Sequence, residues 1–120
     1  MYGKKNWVFC DGDLPPRGNN PEFPGHEALM ITNVSTKDAK IRIKILFEDK
    51  EPYDKITLEL KGERTTCLRL DQPIGNEGYQ IPFGQYAIHV ISDVPVIACF
   101  GRLDVRQTNM AYYSPAGYGF

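Results

Sequence analysis

Arg102, Asp104 and Arg106 follow Gly101 at intervals of two. In extended chain this spacing sends all three side chains to one face as a +/−/+ row. Two guanidinium forks would hold a carboxylate or phosphate in bidentate geometry, and the Asp would accept hydrogen bonds from the hydroxyls of a sugar-like ligand. The same row would serve equally as a cross-strand ion-pair ladder with Glu27, Asp49 or Glu51, a purely structural use. His26-Glu27 opens a strand-like run and His89 lies inside another. The two histidines lack the spacing of metal ligands, so neither a structural metal nor a cofactor is expected. Asp11-Gly12-Asp13 is without the spaced oxygens and closing Glu of a calcium loop and reads as a turn. The chain has no G-x-S-x-G elbow, no G-x-G-x-x-G before a helix, no P-loop and no H-E-x-x-H. A nucleophile, its base and an orienting group cannot be assembled, which points to a protein that binds rather than catalyses.

Two long loops could meet a ligand or partner. In GDLPPRGNNPEFPG, Gly12 to Gly25, the prolines around Arg17 stiffen a projection at low entropic cost. In DQPIGNEGYQIPFG, Asp71 to Gly84, Tyr79 and Phe83 are the contact candidates. Lys40, Arg42 and Lys44 form an outward basic stripe, suited either to a phosphate backbone or to a solvated, edge-protecting strand. The tail, residues 111–120, is rich in Gly and aromatics and reads as an arm that docks on a neighbour or, over its last five residues, a frayed terminus.

The elements that must carry these groups are strands. Ile41, Ile43, Ile45 and Phe47 alternate with Lys40, Arg42, Lys44 and Glu48, and Ile56, Leu58 and Leu60 alternate with Lys55, Thr57, Glu59 and Lys61. Lys61-Gly62-Glu63 reads as a hairpin turn before Leu68 and Leu70. Further strands are expected at Lys5–Cys10, Glu27–Asn33, Gln85–Ser92, Val96–Leu103 and Val105–Tyr113, with Pro95 marking a turn or edge bulge. No window has a helical period, so the chain is expected to be all-β, an antiparallel β-sandwich of jelly-roll type with about eight strands in a single domain. Fourteen Lys and Arg against fifteen Asp and Glu give a net charge of −1, which disfavours nucleic acid as a partner. Cys10, Cys67 and Cys99 are odd in number and far apart, as buried free thiols in a reducing compartment would be. With no signal-peptide core and no membrane-length apolar run, a cytoplasmic location is expected.

Gln85–Ser92 and Val96–Leu103 carry apolar residues on both faces, and a two-layer sandwich covers only one. A subunit interface is the simplest second cover; a folded-over loop or terminus is the other.

The order of motifs is itself informative. Trp7, Asp11-Gly12, Pro15-Pro16-Arg17-Gly18, His26-Glu27, Asn33 and Asp49-Lys50-Glu51-Pro52 precede Arg64-Thr65, Ser92-Asp93-Val94-Pro95-Val96 and Arg102-Leu103-Asp104-Val105-Arg106-Gln107. Over about residues 6–110 this resembles the sensory rhodopsin transducer family. The resemblance implies a β-sandwich that assembles as a homotetramer, binds a small polar, carbohydrate-like ligand and signals with a membrane receptor. It marks His26, Glu27, Asp49, Glu51, Arg64, Arg102, Asp104 and Arg106 as ligand-binding positions. The competing expectations are an adaptor of a membrane photoreceptor that needs no small ligand, and a DNA-binding transcriptional regulator.

Overall fold

A computed structural model describes residues 2–106 and 111–120. It contains eight strands, and no helix among the described residues: β1 Lys4–Leu14, β2 His26–Asn33, β3 Ala39–Leu46, β4 Tyr53–Leu60, β5 Arg64–Arg69, β6 Gly84–Asp104, β7 Ala111–Tyr113 and β8 Tyr118–Gly119. Every pairing is antiparallel, in line with the all-β architecture expected. One sheet runs β4-β3-β6-β1-β8; β5, β2, β6 and β7 form the other, so β6 belongs to both.

The alternation read in the sequence is the burial pattern of the strands. In β3, Ala39, Ile41, Ile43 and Ile45 are buried while Lys40 and Arg42 are exposed. In β6 the inward set continues without a break from Tyr86 through Ile88, Val90, Ser92, Val94, Val96, Ala98 and Phe100 to Arg102. These residues meet Phe9, Leu29 and Ile31 in one core, each apolar side chain contributing on the order of 1.5–3 kcal/mol relative to exposure.

The two strands expected on either side of Pro95 are therefore one strand of 21 residues. Its pairing with β3 ends at Ser92 and its pairing with β2 begins at Ile97. Against β1, the register slips between Ile91 and Val96. Pro95 sits in that passage from one sheet to the other, where its missing N–H costs no ladder bond. Asp93 Oδ1 accepts the Lys40 N–H at 2.8 Å there.

Four further expectations are corrected. Lys61-Gly62-Glu63 is no hairpin, since β4 and β5 lie in different sheets; it arches between them. Glu63, with φ 55°, takes the left-handed conformation, and the buried Asn33 amide donates to the carbonyls of Lys37, at 2.7 Å, and Leu60, at 3.2 Å. All three cysteines are free but exposed: Cys67 and Cys99 pair with Met30 from either side, on the outer face of their sheet. The last residues form β8 on the edge of β1, with Trp7 opposite Gly119 and Val8 opposite Tyr118. Gly117 permits this because a side chain there would collide with the Phe9 ring, and Gly119 lets the chain lie tight against Trp7. Of the expected strand Val105–Tyr113, only Ala111–Tyr113 is seen as strand, and residues 107–110 lie outside those described.

Candidate functional site

Glu27 and Arg102 oppose each other across the β2–β6 pair and both point inward, 0% and 6% exposed. Arg102 Nε donates to Glu27 Oε2 at 2.6 Å. The Tyr86 hydroxyl donates to Glu27 Oε1 at 2.5 Å, and the Asp13 N–H to Oε2 at 3.0 Å. Arg102 Nη2 in turn donates to the Asp11 carbonyl at 2.5 Å and lies 3.6 Å from its carboxylate. The Tyr113 ring covers the guanidinium, whose carbon is 4.9 Å from the ring centroid. Gly12 lies opposite Tyr86, and its missing side chain lets that ring cross β1 toward Glu27.

One ion pair thus gathers β1, β2, both halves of β6 and β7. Burial opposes the charge on Arg102, but the hydrogen bond and charge of Glu27 outweigh it and hold the guanidinium protonated. Burial, and then Glu27, raise the Tyr86 phenol above its ordinary range, so it remains a donor. Among the described residues no buried side-chain nitrogen or oxygen lacks a partner. A buried pair satisfied from every side holds the ends of two sheets in one arrangement.

The single row of Arg102, Asp104 and Arg106 is not formed. Arg102 turns into the core, whereas Arg106 lies beyond the end of β6 and folds back on Asp104. Its Nε donates to Asp104 Oδ1 at 3.0 Å and its Nη2 to Oδ2 at 2.5 Å. The side-chain hydrogen bond from Arg106, followed by its backbone N–H, holds the Asp104 carboxyl below its ordinary range. The ladder partner of Arg102 is Glu27, as one of the two uses of the row required; Asp49 and Glu51 are exposed in the β3–β4 connection. Arg64 pairs with Asn33 at the far end of β2 from His26 and donates to the local carbonyls of Gly62 and Glu63. His26, at the start of β2, shares its Nδ1 with the Pro24 carbonyl at 2.7 Å. The eight positions marked by the family resemblance therefore do not converge on one pocket: His26, Glu27, Arg102, Asp104 and Arg106 gather at one end, and Asp49, Glu51 and Arg64 lie elsewhere.

Arg17 projects from its proline loop, closed by the Gly25 N–H on the Arg17 carbonyl at 2.8 Å. Its Nη2 lies 3.5 Å from Asp71, whose buried carboxylate accepts two 2.9 Å hydrogen bonds from Arg69. A shallow cleft of about 450 Å³ beside it is lined by Arg17, Asn19, Asn20 and three loop residues. Tyr79 stacks on Tyr53, ring centroids 3.7 Å apart, beside the start of β4. The sequence reading missed Tyr86, Arg69 and Asp71: nothing local distinguishes an inward Tyr whose hydroxyl finds a carboxylate from an ordinary core aromatic.

Among the described residues no group of three or more His, Cys, Asp or Glu is placed to hold a metal. No helix among them is long and apolar enough to cross a membrane.

Comparison with known proteins extends over nearly the whole chain. Residues 2–119 match the family model described as Anabaena sensory rhodopsin transducer. No curated protein matches. Among solved structures, Thermotoga maritima 1070 superposes with a TM-score of 0.86 at 36% identity, over 100% of this chain and 97% of that one. The Anabaena sensory rhodopsin transducer superposes with a TM-score of 0.73 at 32% identity, over 90% and 95%. With the sequence model, the fold and two relatives in agreement, the chain belongs to the Anabaena sensory rhodopsin transducer family.

Proposed function

We propose that this protein is a non-catalytic signalling adaptor that works as a homotetramer and relays the state of a membrane sensory receptor from its cytoplasmic side. Family membership supports the signalling role. The observation that carries the assembly is the outer face of the second sheet. Its register lines up Thr65, Thr32 and Ile97 in one row and Cys67, Met30 and Cys99 in the next, with no charged side chain in either. Ile97 is 43% exposed and both cysteines are exposed. Desolvating such a face costs little, and a second copy would cover it. Light scattering after size exclusion at micromolar concentration should give a mass near four chains, reduced in Ile97→Glu; a clean monomer overturns the assembly. Co-purification with a detergent-solubilised sensory rhodopsin tests the adaptor role, and failure to co-purify counts against it.

A second reading, binding of a small polar ligand, is favoured by the cleft beside Arg17, whose side chain is 59% exposed and lies against a carboxylate already held by Arg69. In this reading Arg17, His26 and Arg106 are the contact positions, and Glu27 and Arg102 act as their support. A thermal-shift screen of sugars, sugar phosphates and carboxylates tests it. Stabilisation lost in Arg17→Ala supports it, and no stabilisation by any of them refutes it.

A further inference from the structure

The outer face of the first sheet has a composition that neither the fold nor the receptor role explains. Its register aligns Thr57, Arg42, Ile91 and Asn6 in one row, with Phe120 exchanging backbone hydrogen bonds with Asn6 at the end. The neighbouring row is Lys44, His89, Val8 and Tyr118. Lys40 extends the cationic side by one more position on β3. The two rows hold no acidic residue; in the row of Lys40 the exposed Glu59 stands opposite it but pairs with Lys61, and among the described residues Lys40, Arg42 and Lys44 form no ion pair. Across three strand spacings, about 14 Å, the opposite edge is aromatic: Tyr118 is 70% and Phe120 53% exposed. His89, Phe120 and Tyr118 lie together on this face, the His89 and Phe120 rings 5.9 Å apart and those of Phe120 and Tyr118 5.7 Å apart. Between the edges, Ile91, Val8 and Ala87 are half-buried.

We propose that this face is a peripheral membrane surface that lies on anionic phospholipid, with Lys40, Arg42 and Lys44 on headgroup phosphates and Tyr118 and Phe120 in the interfacial layer. Tyrosine and other amphipathic or apolar rings settle at that depth, and basic side chains are drawn to an anionic leaflet. The net charge of −1 means that the attraction belongs to the patch and not to the whole molecule. Single-stranded nucleic acid, the other ligand of basic and aromatic sheet faces, is bound where stacking rings follow a cationic groove. Here rings and cations stand on opposite edges with an apolar strip between, an arrangement suited to a planar interface. The tail contributes directly, because β8 is what brings Tyr118 and Phe120 to the face.

Co-sedimentation of the full chain with vesicles of phosphatidylcholine alone, or of phosphatidylcholine mixed with phosphatidylglycerol, tests this without any receptor present. Binding is expected only with the anionic lipid and should weaken as salt rises. The variant Lys40→Gln/Arg42→Gln/Lys44→Gln should lose about 125-fold in affinity, at about fivefold per cation near the surface. Phe120→Ser should weaken binding while leaving the salt dependence in place. Lys40, Arg42 and Phe120 are exposed and Lys44 is half-buried, and circular dichroism checks that the sheet is intact. Equal binding to both vesicle types, no binding to either, or binding to a single-stranded oligonucleotide in place of vesicles would overturn the proposal. Receptor co-purification is a separate measurement, so the adaptor reading and the membrane surface can fail independently.

Discussion

Replacing Arg102 by Met keeps most of the side-chain volume and removes the only cation in contact with Glu27 among the described residues. The Glu27 carboxylate, 0% exposed, then retains two donors, the Tyr86 hydroxyl and the Asp13 N–H, and no counter-charge. Breaking a buried pair in this way costs about 3–5 kcal/mol, most of it the stranded charge rather than the lost contact. For a chain of this length each kcal/mol lowers Tm by roughly 4 °C, so a fall of about 12–20 °C is expected. The double variant Glu27→Gln/Arg102→Met removes both charges but keeps an amide oxygen for the Tyr86 hydroxyl, and should recover most of that loss. Urea unfolding of wild type, both single variants and the double variant, followed by far-ultraviolet circular dichroism, closes the cycle. A loss below about 1 kcal/mol for Arg102→Met, or strictly additive losses in the double variant, would refute the view that this pair couples the two sheets.

The pH response should report on His89. Burial first, and then Lys44 and Arg42, lower its pKa from the ordinary 6.5, so the unfolded chain takes up the proton at higher pH than the folded one. Stability is then full above 6.5 and falls as pH drops through the folded value, and His89→Gln should flatten that part of the profile. In Gly117→Ala the new methyl would meet the Phe9 ring. Hydrogen exchange should show β8 released and the β1 amides facing it unprotected, with the rest of the sandwich unchanged; retained protection at Asn6 would show that the arm can shift. Truncation after Tyr113 leaves the β1 edge unpaired, and faster aggregation of the truncated chain on warming is expected by turbidity.

Strand identity was largely legible because it is local. Ile41, Ile43 and Ile45 against Lys40, Arg42 and Lys44 declare a half-buried strand whatever lies beside it. The family, too, was legible in the order of short polar motifs. Partnership was not. Whether Pro95 ends a strand depends on where the neighbours of β6 change, and β3 and β2 are distant in sequence. Whether Arg102 can be held in the core depends on Glu27 opposite it and on Tyr86 reaching that carboxylate from the first sheet. Period-two spacing predicts a shared face for Arg102, Asp104 and Arg106 only while the strand continues, and the chain leaves β6 after Asp104. The tail shows the same division. Its glycines and aromatics allowed a frayed end or an arm docked on a neighbour, and the close approach of Gly117 to Phe9 and of Gly119 to Trp7 instead lays it as a strand on the chain's own β1. Side-chain alternation is carried by the backbone of each strand; burial, pairing and charge compensation arise between strands and exist only once the sheets have formed.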